Sequence, residues 1–160
     1  MSFKNNYSSR LFCIIITLTM LLALGCSKDK ATAELPKISD IPTIKLLSVA
    51  PTTVQQFTDS LVFNIEYEDG NGDIGWNVAD SMSLFITDNR IALTERFNLG
   101  NVAPMGSNIA VRGIFNVVMH HTILLDPNQS SEQVQFLLQL KDRAGNRSNE
   151  VMSTIITVNQ

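Results

Sequence analysis

The sequence predicts an all-β domain, an antiparallel β-sandwich of about seven strands that follows a cleaved signal peptide. Three observations carry this expectation. Beyond residue 42, apolar and polar residues alternate at period two, the pattern of strands with one buried face. No stretch there sustains i, i+3, i+4, i+7 apolar spacing for three helical turns. The densest apolar block sits apart at residues 11–24, and its 14 residues fall short of the roughly 20 that a spanning helix needs.

The N-terminal block is read as an address. Residues 1–10 carry Lys4 and Arg10 and no acid, and residues 11–24 offer only Thr17 and Thr19 as a polar face. A basic start, a short apolar core and small residues after it make a secretory signal peptide over 1–25. Ala23-Leu24-Gly25-Cys26 resembles the lipobox of bacterial lipoproteins, in which the cysteine after the cut is acylated. Ala23 and Leu24 are swapped relative to the usual order, and ordinary signal peptidase would cut the same bond. Lipidation is favoured, because plain cleavage would leave Cys26 as a lone reactive thiol on an exported protein. The resemblance implies an acyl chain such as palmitate on Cys26 and a membrane anchor. Ser27, not Asp, follows the cysteine, which favours outer-membrane sorting. Residues 26–42 read as the lipidated cysteine and a flexible tether, with two prolines and mixed charge. Ser27-Lys28-Asp29-Lys30 has some similarity to charged surface-export signals, and reads equally as a solvated linker.

The strands follow in order. Residues 43–49 form the first run. In residues 61–68 one face is Leu61, Phe63, Ile65 and Tyr67, the other Val62, Asn64, Glu66 and Glu68. Further runs occupy 82–87, 91–98, 109–119, 133–141 and 150–158, with Val134, Phe136, Leu138 and Leu140 as the inward set of the sixth. Gly113 is read as a bulge or bend. Seven short strands at this spacing suggest an immunoglobulin-like sandwich over 43–160. The Cys-Trp-Cys pattern of antibody domains is absent, so the architecture is claimed and not that family. A small up-and-down barrel is the alternative.

Composition bounds the function. The 160 residues suit one domain, and 44% apolar content excludes a wholly disordered chain. Two cysteines are too few for a disulfide framework. Twelve bases against fifteen acids exclude a protein that holds nucleic acid by bulk charge, and removal of Lys4 and Arg10 takes the net charge from −3 to −5.

Residues 141–149 (KDRAGNRSN) look like the D-x-A-G-N-x-S turn that joins the last two strands of many bacterial immunoglobulin-like and fibronectin-like domains. Together with the lipobox, the whole chain resembles Gram-negative outer-membrane lipoproteins with a single immunoglobulin-like sandwich. The resemblance implies a fold and a location, periplasmic or surface-exposed, and brings no ligand.

One constellation carries possible chemistry. Asp69, Asn71 and Asp73 stand at positions one, three and five of residues 69–75, spacing that curls oxygens around calcium. Gly70 and Gly72 permit the left-handed backbone of such a curl. The EF-hand pattern fails, since position six is Ile74 and position twelve is Asp80. In immunoglobulin strand order the 142–147 turn shares this pole, so Asp142 is a further candidate ligand. The alternative is a plain turn, built from the residues that turns favour, with Arg143 neutralising Asp69 or Asp73. Trp76 and Tyr67 flank the loop as stacking platforms for a sugar, or, for Trp76, as the preferred reading, a plug of the core.

His120 and His121 would point to opposite faces of a strand and cannot share a metal without a turn. No Gly-x-Ser-x-Gly elbow and no phosphate-binding glycine loop occurs. Asp59-Ser60-Leu61 and Asp80-Ser81-Met82 resemble Asp-Ser/Thr-aliphatic O-glycosylation sites of exported proteins. The expectation is a lipid-anchored, non-enzymatic envelope protein that binds or scaffolds a carbohydrate or another envelope protein. A calcium-assisted glycan or peptide hydrolase and a structural subunit of an envelope assembly are the alternatives.

Overall fold

Alternation of apolar residues builds a core between sheets. A computed structural model describes residues 37–160, and all regular elements there are strands. The expected signal peptide, Cys26 and residues 27–36 lie outside the described residues. No helix among the described residues is long and apolar enough to cross a membrane.

The strands are β1 (Thr43–Ala50), β2 (Thr53–Gln55), β3 (Ser60–Asp69), β4 (Leu84–Asp88), β5 (Leu93–Phe97), β6 (Val111–His120), β7 (Ser131–Val134), β8 (Phe136–Leu140), β9 (Val151–Met152) and β10 (Ile156–Asn159). They pair in the orders β1-β3-β6, β5-β4-β8-β9 and β2-β10-β7. Every pairing is antiparallel except β2 with β10. The result is the all-β sandwich the alternation predicts. Leu61, Phe63 and Ile65 of β3 are fully buried, as are Leu84 of β4 and Leu138 and Leu140 of β8. Phe63 meets Phe136 edge to face, with ring centroids 5.8 Å apart.

Each expected strand segment is present, but two are divided. Residues 133–141 become β7, which pairs with β10, and β8, which pairs with β4 and β9. Residues 150–158 likewise divide into β9 and β10. Ser153 stands at the break: its Oγ accepts from Phe136 N at 2.9 Å and donates to Thr154 O. A buried hydroxyl thus replaces a ladder partner where the chain passes from one sheet to the next. Ser148 does the same for Leu140 N. The short β2 has only three residues, too few for its alternation to register.

Gly113 is no bulge. The β3–β6 register runs unbroken through it, with Tyr67 opposite. Its role is close approach: a Cβ there would lie 2.6 Å from Tyr67 Oη. The register does shift on β1, between Leu46 and Ser48.

Gly113→Ala should therefore lower stability by about 1–3 kcal/mol through overpacking against Tyr67. Gly100→Ala, whose Cβ would meet open space, should change it by less than about 0.5 kcal/mol. Urea denaturation of the two variants checks the contrast, and equal midpoints would remove the close-approach account.

Candidate functional site

β3 delivers the first residue of the site. Its inward set is Leu61, Phe63, Ile65, Tyr67 and then Asp69, so the pleat that buries the core also carries a carboxylate inside. Asp69 has no exposed surface. The chain then turns. Asp73 N donates to Asp69 Oδ2 at 2.9 Å and to Asn71 Oδ1 at 3.2 Å. Gly72 adopts the left-handed backbone expected of it, with φ 70°. Gly70 serves differently: its bare Cα lets residues 38–40 pass, and its N–H donates to Ser39 O at 2.7 Å.

The 142–147 turn joins this pole as expected. Ile74 and Asp142 form an isolated antiparallel bridge, and Arg143 N donates to Asp73 O at 3.0 Å. Ala144 N donates to Asp73 Oδ2 at 3.2 Å. Asp142 is buried, and both its oxygens are taken by its own turn, Oδ1 by Asn146 N and Oδ2 by Asn146 Nδ2. Asp69, Asn71, Asp73 and Asp142 are therefore brought to one place.

Arg143 does not sit on the carboxylates. Its guanidinium donates to the carbonyls of Gly75 at 2.9 Å, Ile74 at 3.3 Å and Gly72 at 3.4 Å. That leaves Asp69 Oδ1 and Asp73 Oδ1 buried without a hydrogen-bond partner. Burial pushes the Asp69 carboxyl up to about 6; the neighbouring Asp73 and Asp142 charges and a hydrogen bond from the protonated Asp69 to the Asp73 carboxylate add to it, against the Asp73 N–H. Asp73 is raised by burial and then by Asp142, while the Ala144 N–H and Arg143 draw it down.

A third orphan oxygen, Asn101 Oδ1, belongs to the loop that wraps this turn. Leu99 O accepts from Trp76 N at 2.8 Å, and Val102 N donates to Ile74 O at 3.3 Å. Asn101 lies in a loop of ordinary turn residues and carries no spacing signal of its own. Among the described residues, no three His, Cys, Asp or Glu side chains converge as a preformed metal centre. Any cation here must also draw on amide and backbone oxygens.

Trp76 is half-buried and stands outside the core cluster, so it is not the plug of the sandwich. Tyr67 packs against the core, its ring stacked on Phe115 with centroids 4.2 Å apart, which leaves that face closed to a sugar. Ser60 of the first Asp-Ser-Leu motif is engaged with His120 Nδ1 at 3.0 Å. His121 supplies the turn that a shared histidine site would need, with a left-handed φ of 71°, and its ring centroid lies 6.1 Å from that of His120.

The raised Asp69 carboxyl has a stability consequence. The fold favours its protonated form, so that contribution is fully present below the ordinary value of 3.8 and lost as pH rises through about 6. In EDTA, Asp69→Asn should melt several degrees above the wild type at pH 7.5, and the gap should close by pH 4. Thermal melts at the two pH values check this, and equal melting points at pH 7.5 would contradict it. No family model matches the chain, and no curated protein or solved structure is significantly similar to it.

Proposed function

We propose that the domain is a binding or scaffolding sandwich tethered to the outer membrane through lipid on Cys26, with a calcium ion ordering the 69–75 pole. The observation that carries the cation is the pair of buried oxygens, Asp69 Oδ1 and Asp73 Oδ1, which have no hydrogen-bond partner when both acids are ionised and feel the Asp142 charge as well. Unpaired acceptors of like charge are costly in a buried site and suit a hard cation with oxygen ligands. Asp69 and Asp73 would hold the ion, with Asn101 Oδ1 as a neutral ligand. Asn71 and Asp142 are engaged in turn hydrogen bonds and would act through position and charge. The strand pairings β1-β3-β6 and β5-β4-β8-β9 support an immunoglobulin-like connectivity, in which the loops at one pole form the recognition surface. The partner would be a carbohydrate or another envelope protein meeting this pole, with half-buried Trp76 at its margin.

Millimolar calcium should raise the melting temperature of the purified protein by several degrees, in keeping with the weak sites of extracellular modules. Asp69→Asn and Asp73→Asn should each abolish the rise. No shift in the wild type would remove the calcium reading. Separately, mass spectrometry of the native N-terminus should find acylated Cys26, and a free cysteine there would remove the anchor.

A further inference from the structure

The opposite end of the sandwich holds a cavity. Asp69 pairs with Val111 at one end of the β3–β6 ladder, and Ser60 with His120 at the other. Nine residue steps separate the two ends, roughly 30 Å. At the His120 end a cavity of about 310 Å³ opens between β5 and β6. Ile86, Leu93, Met119 and Phe136 supply its apolar walls, and Glu95, His120 and His121 line it beside the Arg90–Asp88 pair.

Glu95 is placed there by the pleat. It pairs with Ile86 on the face shared by Leu93 and Phe97, so an edge strand aims a carboxylate inward. Among the described residues it has no hydrogen-bond or ion-pair partner. Burial raises its pKa, and only the charges of His121 and His120 draw it back. Thr122 is 5% exposed, and its Oγ1 is buried without a partner.

The other charges facing the cavity are already satisfied. Arg90 Nη2 meets Asp88 Oδ2 at 2.7 Å, and Nη1 meets Glu132 Oε2 at 2.7 Å. Arg90 also donates to Ile123 O at 3.1 Å. No arginine or lysine is left over for Glu95; His120 and His121 are the basic side chains beside it, and neither comes within ion-pair distance of its carboxylate. The unmet need is for positive charge with hydrogen-bond donors, carried on an apolar body.

We propose that this cavity binds a small primary amine, its ammonium group on Glu95 and its aliphatic or aromatic body against Leu93, Met119 and Phe136. The volume is at the low end for ligand sites, so the ligand is small. An ammonium ion would replace the hydration that Glu95 loses and turn a destabilising burial into a charge-assisted pair. This site is independent of the acidic pole and does not rest on calcium there.

The test uses benzylamine, followed by amide shifts in the purified protein at pH 7.5. Saturable shifts at Glu95, Met119, Thr122 and Phe136 are expected at about millimolar concentration. Benzyl alcohol, of the same shape without the charge, should bind at least tenfold more weakly to the wild type. Glu95→Gln should lose benzylamine affinity by a similar factor while melting no lower than the wild type. Absence of saturable shifts would overturn the proposal, leaving Glu95 as a charge that guards an edge strand. Equal binding of the alcohol would overturn it as well, and that comparison needs no variant to fold.

Discussion

The pleat of the strands is the constraint on which the rest of this protein depends. Side chains on a strand alternate between two faces, so a strand cannot bury every second residue and choose its exceptions. The inward positions include three carboxylates that the fold treats differently: Asp69 at the end of β3, Asp88 at the end of β4 and Glu95 within β5. Asp69 and Asp88 are buried there, and Glu95 on the edge strand is half-buried. Each must then be satisfied, protonated or left unpaired.

The fold answers these three demands differently. Asp88 receives Arg90, which also binds Glu132 and Ile123 O, so one guanidinium ties the β4–β5 turn to β7 and to the loop after β6. Asp69 receives one backbone N–H and keeps an orphan oxygen beside two more acids. Glu95 receives nothing within the described residues and opens on a cavity. Structural demand is met by a built-in partner at the first. At the other two the described residues leave a carboxylate oxygen without a partner, and both functional proposals arise there.

The sheets are joined with similar economy. Ser148 and Ser153 lend their hydroxyls to Leu140 N and Phe136 N on either side of β9. Asn149 bonds Ile44 through both its amide oxygen and nitrogen, each at 2.9 Å, which links β1 to the segment before β9. The described residues contain no cysteine, so such polar stitches and the apolar core hold the sandwich without a covalent link.

Much of this was readable from local pattern. The strands follow from alternation, and residues 61–68 show their buried and exposed faces directly. The 69–75 turn was readable because its bonds close within four residues, as Asp73 N to Asp69 Oδ2 does. The meeting of Asp69 with Asp142 followed from strand order. Other features left no local trace. Gly113 is needed for the Tyr67 ring on another strand, and Asn101 is an unremarkable loop residue until Val102 docks on Ile74. His121 turns the backbone at the point where an unbroken strand would separate the two rings. The sequence by itself determined which residues face inward, because the pleat is a property of neighbours. Only the tertiary structure decided which inward charges find a partner, because those partners come from turns and loops far along the chain.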